Sequence, residues 1–206
     1  MGETATELWV SPVTLSGRWV RLEPLSQEHA PALAVAAADD EIWRYMSRRL
    51  RTVDDVREWI DVALAEQAAG TAFPFAIVDL ASGEVIGSTR YMDIRPRDRG
   101  LEIGWTWLRR ASWRTPINTE CKFLLLQHAF ESLGCIRVQF KTHRLNHRSR
   151  RALERIGAQF EGILRNHVIM PDGTIRDSAY YSIIEHEWPA VKRHLTMLMS
   201  TSESRD

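Results

Sequence analysis

The chain has 206 residues, a length that fits one ordinary domain able to bury a real core. Its 27 basic side chains balance 27 acidic ones, and this excludes a molecule that binds nucleic acid or membranes through overall charge. Apolar residues make up 44% and charged residues 26%, an average composition for a soluble domain, with no run of about 18 apolar residues to span a bilayer. The first ten residues hold Glu3 and Glu7 and no basic segment ahead of an apolar one, so they do not read as a secretion signal. Cys121 and Cys135 are lone thiols, neither a disulfide framework nor a metal pattern, and a reducing, cytoplasmic compartment is expected.

In chain order, residues 1–10 and 200–206 are expected to be flexible, leaving a single domain over 11–199. Val20 to Glu23 alternates like a strand and stops at Pro24, and Ser26 is placed to cap a helix over about Gln27 to Ala38. Asp54 is expected to cap a second helix whose apolar face is Val56, Trp59, Ile60 and Ala63, ended by Gly70. Phe73 to Leu80 and Val85 to Tyr91 are strand-like runs joined by the hairpin signal Ala81-Ser82-Gly83-Glu84.

A strand from Leu101 to Leu108 then leads through an Arg-rich turn to a helix over about Ile117 to Ser132. A strand from Ile136 to Thr142 leads in turn to a helix from Asn146 to Ile156, stopped by Gly157. Gln159 to Met170 and Ile175 to Glu185 flank the turn Pro171-Asp172-Gly173-Thr174, and Trp188-Pro189 opens a short closing helix. The order describes a mixed sheet with helices on its faces. Two strand-to-helix junctions carry phosphate-friendly groups, with Glu102 inside the first strand. That suits a ligand with a phosphate-rich end and a long neutral arm, of which coenzyme A is the obvious candidate.

Several of these segments, in this order and spacing, resemble the GNAT superfamily of acyl-CoA-dependent N-acyltransferases, in the branch of the RimJ/RimL ribosomal-protein N-terminal acetyltransferases. They are Gly17-Arg18-Trp19-Val20-Arg21-Leu22-Glu23-Pro24, Glu102-Ile103-Gly104-Trp105 and Arg114-Thr115-Pro116-Ile117-Asn118-Thr119-Glu120. Asn146-His147-Arg148-Ser149, Leu153 to Ala158, Pro171 to Asp177 and Glu187-Trp188-Pro189 complete the set, which spans about Leu15 to Leu195. The resemblance implies an α/β fold with a mostly antiparallel sheet of six or seven strands, splayed between the fourth and fifth, and helices on both faces. It also implies acetyl-CoA as cofactor and an amine as acceptor, either a protein N-terminal α-amine or a small-molecule amine. Neither metal nor nucleic acid is expected, and the oligomeric state, including a homodimer, stays open.

The resemblance also assigns roles. Glu102 is the candidate base, against the alternative of a surface glutamate paired with a nearby arginine. Alternation places Glu102, Gly104 and Thr106 on one face of the strand and Ile103, Trp105 and Trp107 on the other. The stretch Ile103-Gly104-Trp105 is expected along the pantetheine arm, with amides near the thioester oxygen. In the phosphate loop, Arg114 and Pro116 stand where the family usually has glycines, and Pro116 has no N–H to offer.

Thr115 as N-cap and Pro116 at the first helical position would leave the amides of Ile117, Asn118 and Thr119 free for phosphate, helped by Arg109, Arg110 and Arg114. Asn146 is expected beside the pantetheine arm, Ser149 as the acid that meets the departing thiolate, and Arg151 as a phosphate contact. Mere capping by Asn146 and Ser149 is the alternative. Leu153 stands where many relatives carry a tyrosine acid. Trp43, Tyr45 and Met46 on one side, and Asn166, His167, Tyr180 and Tyr181 on the other, are placed around the acceptor, with Tyr91 as a further contact. A non-catalytic module of the same fold, binding an acyl-CoA or a protein partner, is the alternative function.

Overall fold

The computed structural model describes residues 9–203, with side chains described as far as residue 200. One sheet of eight strands organises it: β1 (Leu15–Ser16), β2 (Val20–Pro24), β3 (Phe73–Asp79), β4 (Val85–Arg95), β5 (Gly100–Leu108), β6 (Arg137–His143), β7 (Gln159–Ile169) and β8 (Ile175–Ile184). Their spatial order is β1-β2-β3-β4-β5-β6-β8-β7. Every neighbouring pair is antiparallel except β5 with β6. The two-residue β1 brings the count to eight, one more than the upper expectation, and is too short to leave a period in the sequence.

Two apolar layers cover the sheet. On one face, α1 (Ala30–Ala36) and α2 (Val53–Ala68) pack Leu33, Val56, Trp59 and Ile60 with Trp43, Ala76 and Trp107. On the other, α3 (Ile117–Gln127), α4 (His147–Arg155) and α5 (Trp188–Glu203) bring Cys121, Leu125, Leu153, Ile156, Val191 and Leu195 onto Phe73, Phe75, Ile77, Phe140 and Ile183. Both cysteines are free, buried thiols.

Local chemistry corrects several boundaries. The first helix is split into a 3-10 turn, Gln27–His29, and α1, because Pro31 has no N–H to bond the Gln27 carbonyl. Thr52 rather than Asp54 caps α2: its hydroxyl accepts from the Asp55 amide at 3.0 Å, while the Asp55 carboxylate accepts from the Thr52 amide at 3.0 Å. Helix α3 ends in a π-helical turn, His128–Ser132. At the margins, Val10 is buried in the core and α5 continues to Glu203. Residues 1–8 and 204–206 lie outside the described residues.

The Gly17 to Val20 segment and α3 hold each other. The buried Glu120 carboxylate accepts from the amides of Arg18 at 2.7 Å, Trp19 at 2.7 Å and Val20 at 2.9 Å. Gly17 is required there, since a Cβ would collide with the Glu120 carboxyl carbon. Two segments that look functional in the sequence are thus coupled for a structural reason, and the coupling fixes the helix that follows the phosphate loop.

Candidate active site

The site begins where the parallel pair ends. β5 and β6 register only at Gly100 with Arg137, Leu101 with Val138, and Glu102 with Gln139, although β5 runs on to Leu108 and β6 to His143. Beyond Glu102 the two strands diverge into a wedge, as the splay requires.

A bulge shapes the β5 wall of that wedge. Arg90 pairs with Gly104 and Ser88 with Trp107, so two residues, Trp105 and Thr106, stand opposite Thr89. Trp105 takes a left-handed conformation, φ +49. The bulge overturns the simple alternation. Ile103 packs in the core beside α3, whereas Trp107 packs against Trp43 and Trp59 beneath α1 and α2. Thr106 faces α3, accepting from Lys122 Nζ at 2.6 Å, and so does not share a face with Glu102.

Glu102 is 2% exposed. Its Oε2 accepts from Gln139 Nε2 at 3.2 Å, and Lys141 Nζ stands 3.5 Å from Oε1. Burial raises its pKa, and Lys141 together with the Gln139 hydrogen bond pulls the other way. The surface-glutamate alternative is removed by that burial, and the ion-pair partner is a lysine on the next strand. Gln139 also donates to Asp93 Oδ2 at 3.1 Å. Arg176 and Tyr180 on β8 complete the surroundings: burial leads in both cases, lowering the pKa of Arg176 and raising that of Tyr180, and Glu102 opposes the burial effect at Arg176 and adds to it at Tyr180. His167 reaches Tyr180 OH at 3.4 Å and Ser178 Oγ at 3.0 Å.

Sequence reasoning missed Gln139 and Lys141. A signal existed, because Arg137, Gln139, Lys141 and His143 alternate with the inward Val138, Phe140 and Thr142.

At the wide end of the wedge the helix starts assemble. Pro116, not Thr115, is the N-cap of α3, and Arg114 before it is left-handed, φ +64. The Thr115 hydroxyl accepts weakly from the Ile117 amide at 3.4 Å. The first backbone bond of the helix is Glu120 N to Pro116 O, so the amides of Asn118 and Thr119 precede the ladder and remain available. The Thr119 hydroxyl is occupied by Arg155 at 2.7 Å.

Arg110 pairs with Asp39 at 3.4 Å, while Arg114 and Arg151 are exposed and make no ion pair among the described residues. Asn146 caps α4, its Oδ1 accepting from the Ser149 amide at 3.1 Å, so capping is real. The Ser149 hydroxyl keeps no hydrogen-bond partner among the described residues. The Arg148 guanidinium lies 3.6 Å from the Trp113 ring centroid and so links the approach to α3 with the start of α4.

The expected acceptor wall is only partly formed. Tyr45 is half-buried and its ring lies 5.3 Å from that of His143 at the end of β6. Trp43 instead is core, donating its indole N–H to Ala37 O at 2.8 Å. Tyr91 is fully buried on the α3 face, its hydroxyl donating to Leu125 O at 2.6 Å. Tyr181 is also buried, bonded to Arg150 and Glu154 under α4, so its neighbour Tyr180 occupies the Glu102 face. Asn166 sits at an irregularity of β7 with φ +50, its amide donating to Asp177 at 2.8 Å, and lines an open groove with Ile163, Leu164, Arg165, His167 and Asp177. For Tyr91 in β4 and Tyr181 in β8 the cause is shared: aromatic residues in strands alternate faces, and only the sheet assigns which face is which.

The chemistry fits a phosphate-bearing ligand with a long arm: free amides and exposed arginines at one end, an opened strand edge, and a buried carboxylate at the vertex. Among the described residues no group of three or more His, Cys, Asp or Glu could hold a metal ion, and no helix is long and apolar enough to cross a membrane. Residues 20–159 match the family model described as an acetyltransferase (GNAT) domain, and the chain belongs to that family of N-acetyltransferases. It is similar to a putative acetyltransferase of T. thermophilus, 40% identical, with a TM-score of 0.84 over 93% of this chain and 99% of that one. It also resembles the putative ribosomal N-acetyltransferase YdaF of Bacillus subtilis (strain 168), 30% identical over 113 residues, 55% of this chain and 61% of that protein. The fold is shared with Mycobacterium smegmatis RimJ in complex with CoA-disulfide, 23% identical, with a TM-score of 0.78 over 91% of this chain and 95% of that one.

Proposed function

We propose that the chain transfers the acetyl group of acetyl-CoA to a primary amine by direct attack in a ternary complex. The observation that carries this reading is the end of β5–β6 pairing at Glu102, which leaves a buried carboxylate at the vertex of an open wedge. Acetyl-CoA supplies the activated acyl group, its diphosphate suited to the Asn118 and Thr119 amides with Arg114 and Arg151, and its arm to the strand edge from Ile103 to Trp105 beside Asn146.

Glu102, directly or through a water, accepts the proton that the amine must lose. An α-amine near a pKa of about 8 gives it up more readily than an alkyl amine near about 10. The C–N bond then forms as the C–S bond breaks, and the Ser149 hydroxyl donates to the departing sulfur. Cys121 takes no part as a nucleophile: burial pushes its thiol up to about 12. The YdaF relative is named a putative ribosomal N-acetyltransferase, which favours a ribosomal acceptor, with small-molecule amines as the other class.

A thiol-release assay with acetyl-CoA against N-terminal peptides and small amines tests the proposal. Amine-dependent thiol release is expected. Tight acetyl-CoA binding by calorimetry without release for any amine would instead favour a non-catalytic binding module.

A further inference from the structure

Arg90 is 3% exposed, and its fork is unfilled. Nη1 donates to Glu66 at 2.9 Å, and the flat faces lie against the rings of Trp59 and Trp105, 5.1 and 5.3 Å from their centroids. Nε and Nη2 are buried with no hydrogen-bond partner. Unsatisfied buried donors are rare because each one costs free energy, and a charged donor costs more. The Nε–Nη2 edge of a guanidinium is shaped for two parallel bonds to a carboxylate.

The location is specific. Arg90 pairs across the sheet with Gly104, and the next partners along, Met92 and Glu102, place the candidate base on the same face. Gly104 has no side chain to fill the gap, which is entered by the Met92 thioether and by Glu102 Oε1, 2.5 and 3.2 Å from where a Cβ would stand. Methionine is flexible enough to withdraw. Trp105, which covers the guanidinium, is the residue of the bulge with reversed φ.

We propose that Arg90 receives a carboxylate carried by one of the two substrates, at the end of the acyl chain or beside the amine of the acceptor. The inference rests on the acyl-transfer reading for the position of the reacting atoms. It makes Arg90 a specificity residue of the same site.

The test uses wild type, Arg90→Gln and Arg90→Lys. The donor arm compares calorimetric binding of succinyl-CoA with that of butyryl-CoA, a neutral chain of the same length. The acceptor arm compares thiol release from acetyl-CoA with an N-terminal glutamyl tripeptide and its glutaminyl twin. One arm is expected to favour the carboxylate by at least about tenfold in wild type, and both variants to erase that preference while leaving the neutral member within about threefold. The arm that responds identifies the source.

Absence of preference in both arms would overturn the proposal, as would a preference that survives in Arg90→Gln. Loss of the native fold in both variants would overturn it too, assigning Arg90 to the core. The donor arm reads binding alone, so failed turnover with normal discrimination there would sink the catalytic reading and leave this one standing.

Discussion

The Lys141 ammonium lies 3.5 Å from the buried carboxylate of Glu102, on the strand that runs parallel to Glu102's own before the two part. The pair sets the protonation of the wedge's vertex: burial favours the neutral acid, and the lysine restores part of the ionised form. A base must be ionised to work, so the rate of transfer should fall on the acid side with a midpoint above the ordinary 4.5 of a glutamate. Lys141→Met removes the lowering influence and should move that limb to higher pH. The kcat/KM profile measures it, and an unmoved limb would separate Lys141 from the chemistry.

Glu102→Gln should divide activity from stability. Its folded pKa is raised, so its stabilising contribution is present below the unfolded carboxylate pKa and is lost as pH rises through the folded one. At neutral pH the amide should therefore fold at least as well as wild type, while turnover drops by about ten- to ten-thousandfold. Thermal melts beside thiol-release rates read both quantities.

Ser149→Ala should lower kcat by a similar factor of about ten to ten thousand with the melting temperature unchanged, since the hydroxyl makes no hydrogen bond among the described residues. Asn146→Ala is expected to act on stability as well, by about 1 kcal/mol, because its side chain caps α4. Equal effects of the two variants on stability would argue that both serve only as caps.

Glu120→Ala leaves the amides of Arg18, Trp19 and Val20 without their acceptor in a buried place, and should cost about 3 kcal/mol or more by denaturant unfolding. Gly17→Ala should be destabilising by about 1–3 kcal/mol, since its new carbon meets the Glu120 carboxyl group. The two effects should not add, because both break the same junction.

Lys122 is buried with Thr106 as its hydrogen-bond partner, and burial lowers its pKa from 10.5 to about 8. The folded state thus releases this proton before the unfolded state does, and this one group adds stability as pH rises from about 8 towards 10.5. Lys122→Met should raise the melting temperature at pH 7 and flatten the stability profile over that interval. A steeper profile in the variant would contradict the assignment.

Much of this molecule is visible in local pattern. The hairpin signal at Ala81 to Glu84 does join two antiparallel strands, the helix before Gly157 ends where expected, and Glu102 lies in a strand that precedes a helix. Those features depend on residues a few positions apart, through side-chain period, capping and the backbone freedom of glycine. The sequence determines them unaided.

The tertiary structure decides what depends on pairing between distant segments. The bulge at Trp105 reverses the face of every later residue in β5, and its cause is the register with Arg90 and Ser88 on another strand. Tyr180 rather than Tyr181 joins the Glu102 face because β8 lies against β6 in one register. Gln139 and Lys141 meet Glu102 only through a parallel pairing that spans 37 residues of chain to Gln139. A side chain's type is local, but the partner that shifts its pKa or fills its hydrogen bonds comes from wherever the sheet puts it.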